Sequence, residues 1–147
     1  MHVSQIDITA YLRTVTVDGK VQGYPPSALA ATTDYGDAFS VVGARSCVLT
    51  ASTGAATGTP TTQAATVSLE SAPAGTAPSG TWTAVVDSSV SLAADETSAK
   101  VGVNLLRLPS GHALLRCKVV TAFTGGSSPK QSVAATVTLG GFSTLPA

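Results

Sequence analysis

The sequence predicts an all-β protein, a single antiparallel β-sandwich or jelly roll with little helix. Three observations lead there: apolar residues recur with period two from end to end, no long window repeats at helical spacing, and turn-rich segments punctuate the chain about every ten residues. The chain has 147 residues, one domain's worth of core. With 21 Thr, 17 Ser and 23 Ala, 61 of its 147 positions carry one of three small side chains, and strands rich in them are flat and unassertive.

The strands follow in order. Ile6, Ile8, Ala10 and Leu12 share a face, and Val15 and Val17 appear in the opposite phase. That one-residue shift near Arg13 predicts a bulge or a strand that changes sheets. The stretch from Pro25 to Ala31 is the one helical candidate, good for a turn or two. Phe39 and Val41 begin a strand, and Cys47 to Ala51 form another. Val67 and Leu69 alternate with Ser68 and Glu70, Trp82 to Val86 is short and apolar, and Val101, Val103 and Leu105 alternate with Gly102 and Asn104. Leu115, Cys117 and Val119 point one way while Arg116 and Lys118 point the other. Val133, Ala135, Val137 and Leu139 form the last inward set. Turn signals lie at Asp18-Gly19, Gly54 to Pro60, Pro73 to Gly80, Pro109 to Gly111 and Gly125 to Pro129. The organisation is one domain overall, with residues 1–40 as an N-terminal strand, arm and loop segment and residues 41–147 as the sandwich body.

An internal echo joins Cys47 to Gly54, Pro60 and Ala64 to Leu69 with Cys117 to Gly125, Pro129 and Ala134 to Leu139. One reading is chance within an Ala/Thr-rich composition. The other is one long-looped hairpin used twice, its inner faces opposed across the sandwich, with Cys47 and Cys117 at equivalent core positions. Both cysteines are expected as reduced, buried thiols rather than a bridge. The order Cys47, Trp82, Cys117 resembles an immunoglobulin core, but Trp82 lies too far from the first cysteine for that fold.

Composition excludes several function classes. Charged residues make up 11%, and eight basic residues balance eight acidic ones, so no electrostatic footprint for nucleic acid exists. No apolar run reaches 18 residues, which argues against a membrane-spanning helix. The start, Met1 to Asp7, does not read as a signal peptide. His2 and His112 lack a second ligand at metal spacing, and His112 reads as a solvated turn residue. Asp34 and Asp37, around Tyr35-Gly36, read as a polar turn rather than a calcium site, and Asp95-Glu96 as a solvated turn. No nucleophile elbow or phosphate loop is present. Hence no catalytic residue, cofactor or metal is expected, and the chain reads as no enzyme. The aromatic supply for a sugar platform is small; Trp82 is expected to plug the core, and Tyr24, extended before Pro25-Pro26, to dock on a neighbour.

With few charges to guard its sheet edges, the chain is expected either to bury them against neighbours or to close them within the monomer. Here a resemblance adds to the reading. Leu105 to Phe142 resembles tailed-bacteriophage capsid decoration (cement) proteins of the small β-sandwich or jelly-roll type. It is carried by Leu114 to Val119, Thr124 to Pro129 and Ala134 to Gly141, together with Val67 to Ser71 and Trp82 to Val85. The resemblance implies a structural virion protein on the outer capsid surface, a homotrimer whose partner is the major capsid protein, bridging capsomers and stabilising the head through valency. Contact with a neighbour or the shell is expected from Ile6, Ile8, Tyr11, Tyr24, Pro25 and Pro26, on the strength of the phase break and the double proline. The competing class is a carbohydrate- or surface-binding β-sandwich module of a tail fibre or adhesin, which requires Trp82 or Tyr35 exposed on a concave face. A structural tail or connector component is a third reading.

Overall fold

The computed structural model describes residues 12–14, 16–17, 20–21 and 23–142. Two antiparallel sheets pack face to face as a β-sandwich. The first is built on β7 (Ser46–Thr57) and β13 (Lys130–Gly140), with β11 (Ser98–Asn104) beyond β7. The other side of β13 is shared by β4 (Gly23–Leu29), along Gln131 to Thr136, and β1 (Leu12–Thr14), along Thr138 to Gly140. The second sheet is built on β8 (Thr62–Pro73) and β12 (His112–Thr124). Next to β8 lie β9 (Thr83–Ala84) and β10 (Val90–Leu92); next to β12 lie β5 (Thr32–Tyr35) and β6 (Phe39–Ser40). A small ribbon pairs β2 (Thr16–Val17) with β3 (Lys20–Val21), so the phase break near Arg13 falls where the chain leaves the main sheet. One 3-10 turn, Leu105–Arg107, is the helical content of the described residues, and the Asn104 carboxamide accepts from the Leu106 N–H to start it.

Period two produces the core directly. Leu49, Val67, Leu69, Leu115, Cys117, Val119, Val133 and Val137 are completely buried, every one at an inward position of its alternation. Each such side chain contributes roughly 1.5–3 kcal/mol of transfer free energy. Cys47 and Cys117 are buried free thiols, as expected.

The segment expected to be helical, Pro25 to Ala31, is instead the outer strand β4 and its exit. Two consecutive prolines hold Tyr24 and Pro25 in extended backbone and offer no N–H to a helix. Their missing donors are tolerated because β4 lies at a sheet edge. Tyr24 faces Ala135 and Ser27 faces Val133, so Pro25 and Pro26 together oppose Ala134 alone, a β-bulge.

The echo is structural, but its units are not hairpins. In each copy the two strands go to different sheets: β7 pairs with β13, and β8 with β12. The unit is therefore an arch spanning the sandwich, and the two arches exchange partners. Cys47 faces Leu139 as Cys117 faces Leu69, and Leu49 faces Val137 as Val119 faces Val67. A shift of 70 residues maps one ladder onto the other, which places the two cysteines at equivalent core positions. The arch loops lock at one end, where Thr61 N–H donates to Thr124 O (2.7 Å) and Ser127 N–H to Gly58 O (2.8 Å). Gly58 and Gly126 have φ of +75° and +79°, and a Cβ on either would collide with backbone of the opposite arch.

Candidate functional site

The two outer faces of the sandwich differ in chemistry. Over β7, β11 and β13 the charged side chains are Lys100 and, at the start of β13, Lys130. The outward positions there are small or β-branched: Val48, Thr50 and Ser52 on β7, then Ala134, Thr136 and Thr138 on β13. This face is poor in charge.

The opposite face carries a buried ion pair beneath a cleft. Register sets Arg116 of β12 directly against Glu70 of β8 on the outer side. Arg116 Nε and Nη2 both donate to Glu70 Oε2, at 3.0 and 2.7 Å, and Lys118 Nζ lies 3.3 Å from Glu70 Oε1. Both partners of the pair are 8% exposed although they point outward. The cover comes from the loop between β8 and β9. Pro78 O accepts from Arg116 Nη1 at 2.8 Å, and the Arg116 guanidinium lies over the rings of Trp82 (4.3 Å) and Tyr35 (4.0 Å). These contacts combine charge-assisted hydrogen bonds with cation–π attraction. Trp82 does not plug the core as expected: it is half-buried, stacked on Arg116, its indole N–H donating to Ala77 O at 3.2 Å. Beside the pair opens a cleft of about 180 Å³ lined by Tyr35, Gly36, Asp37, Ala38, Pro78, Trp82 and Arg116. Tyr35 and Trp82 thus line one concavity, with Tyr35 44% exposed.

Of the residues singled out for contact, Ile6, Ile8 and Tyr11 lie outside the described residues. Tyr24 is buried, and its hydroxyl donates to the Asp34 carboxylate at 2.5 Å. Burial first, and Asp34 second, push the Tyr24 phenol up to about 12. Pro25 and Pro26 are exposed along β4. Asp34 also accepts from the Tyr35 N–H at 2.9 Å, so it ties the edge strand β5 to β4 and occupies one of its backbone donors. The Asp34–Asp37 segment is thereby the end of an edge strand and one wall of the cleft, rather than a simple polar turn.

His112 stands at the start of β12, half-buried, with Nδ1 2.9 Å from the hydroxyl of buried Ser71. Asp95, in an exposed turn, accepts from Ala56 N–H (2.8 Å), Gln63 Nε2 (2.6 Å) and Gln131 Nε2 (3.2 Å), which fastens β7, β8 and β13 where the arches end. Burial pushes both thiols up to about 12, and Cys117 is raised further by Cys47 across the core. Neither is a reactive thiolate at neutral pH.

Sequence reading placed Arg116 and Lys118 outward but missed the Glu70–Arg116 pair, whose members are 46 residues apart. A signal for it was available. Had the echo been read as strands exchanged between copies, the Cys117–Leu69 pairing would have set Glu70 opposite Arg116.

No family model matches the chain, and no curated protein matches it. Among solved structures, a chain of Desmodium yellow mottle tymovirus is 13% identical and covers 90% of this chain and 97% of its own length, with a TM-score of 0.31. Similarity at that level carries no argument about this protein.

Proposed function

We propose that the protein is a structural, non-enzymatic virion component, a capsid decoration or cement protein that binds the outer capsid surface and bridges capsomers as a homotrimer. The observation that carries the reading is the charge-poor outer face of β11, β7 and β13, made of small and β-branched side chains. Small and β-branched side chains let another surface approach closely over a broad area, and only two charges, Lys100 and Lys130, have to be desolvated. The sequence resemblance over Leu105 to Phe142 points the same way. Modest contacts per subunit suffice when three act together.

The test combines mass with occupancy. Light scattering on the purified chain should give about three times 14.5 kDa. Co-sedimentation with cognate capsid shells should saturate, and Thr50→Glu, which sets a carboxylate in the middle of the charge-poor face, should abolish it without changing the melting temperature. A monomer whose co-sedimentation is untouched by Thr50→Glu would overturn the reading.

A further inference from the structure

We propose that the cleft between Tyr35, Trp82 and Arg116 is a binding site for one neutral sugar ring at the end or within a glycan. The site goes beyond the decoration role and lies on the opposite face of the sandwich. Three features of the cleft select a saccharide. The first is unspent hydrogen-bonding capacity: a guanidinium has five N–H donors, and among the described residues Arg116 spends two on Glu70 and one on Pro78 O. The two remaining N–H groups, one on Nη1 and one on Nη2, belong to a side chain that lines the cleft, and they can donate to an acceptor oxygen.

The second feature is the pair of aromatic rings beside those donors. A pyranose presents an apolar C–H face and a rim of hydroxyls, so it can lie against the part of the Tyr35 ring that Arg116 leaves uncovered while its oxygens reach toward the guanidinium. Asp37, exposed on the rim, supplies a carboxylate acceptor for a sugar O–H. The third feature is charge. Glu70, Asp37 and Asp34 outnumber Arg116 and Lys118, so the neighbourhood favours neither an acidic sugar nor a phosphate. Addition of a peptide strand is disfavoured at the adjacent edge because Asp34 already occupies the Tyr35 N–H. The rings are held in place before any ligand arrives, since Glu70 and Pro78 anchor the guanidinium on which they stack. That preorganisation lowers the ordering cost of binding.

Trp82 is the only tryptophan in the chain, so its emission reports on this cleft directly. The full chain is titrated with methyl glycosides of glucose, galactose, mannose and N-acetylglucosamine, with a proline-rich peptide as a separate arm. At least one glycoside should shift the emission saturably with millimolar affinity. Tyr35→Ala should weaken that binding by at least tenfold and Asp37→Asn severalfold, both with unchanged circular dichroism. No saturable response to any glycoside overturns the proposal, as does a response that Tyr35→Ala leaves intact. A saturable response to the peptide alone assigns the cleft to peptide docking and overturns it equally.

Discussion

The β7–β13 ladder and the β8–β12 ladder share one backbone plan. Both turn Leu, Val and Cys inward in the same register, yet they have diverged on their outer sides and near the arches. The β8–β12 ladder runs unbroken from Leu114–Ala72 to Thr124–Thr62. The β7–β13 ladder bulges where Gly54 and Ala55 oppose Ser132, close to where Gln131 Nε2 donates to Gly54 O at 3.1 Å. At the positions equivalent to Glu70 and Arg116 stand Gly140 and Ser46. The inner face is therefore constrained by packing alone, while each outer face is free to acquire its own chemistry.

The sharpest way to break the comparison is to remove one member of the ion pair. Arg116→Met leaves Glu70 buried with only Lys118 nearby and should cost about 3–5 kcal/mol in urea unfolding. Replacing both members, Glu70→Leu with Arg116→Met, should recover most of that loss. The equivalent change on the other ladder, Ser46→Ala, should stay within about 0.5 kcal/mol. A similar cost at both sites would show that the outer faces contribute alike.

Next in size is the lock between the arches. Gly58→Ala or Gly126→Ala places a Cβ against opposing backbone at positive φ and should destabilise by about 1–3 kcal/mol in thermal melts. The two variants should cost alike, because each glycine abuts the other arch; a cost at one alone would assign the lock to a single loop.

The smallest effect near neutral pH comes from the buried acids. Cys47, Cys117 and Tyr24 all have folded values raised to about 12 from 9.0 and 10.0. Their neutral forms are favoured in the folded state, so their contribution is fully present below pH 9 and is lost as the pH rises from 9 to 12. Denaturant midpoints should be flat across neutral pH on this account and fall above it. Cys47→Ser, which changes one ladder only, should reduce the alkaline slope.

Much of this was legible in the residues. Period-two alternation gives the inward sets correctly, because a strand's side chains have only two directions and burial selects one. The Cys47 and Cys117 echo points to equivalent core positions. Partner choice was not legible: a strand's pattern says which face is apolar and nothing about which ladder it joins, so arches were read as hairpins. Pro25 to Ala31 misled because its alanines and leucine favour a helix, whereas the preceding double proline and the free edge of β13 decide for a strand. The cleft escaped because Tyr35, Trp82 and Arg116 meet only after β5, β12 and the loop before β9 are in place. The scarcity of charge was itself a pointer, since a buried Arg–Glu pair stands out in so neutral a chain.

The exchange of strands between arches has a kinetic consequence. Neither arch pairs its own two strands with each other, and the central ladders join residues 48 and 92 positions apart, Leu69 with Cys117 and Cys47 with Leu139. Long stretches of polypeptide must therefore be brought together before either ladder can begin to zip. Such a topology belongs with slow folders, on the order of milliseconds to seconds, where non-local pairing rather than local turn formation limits the rate.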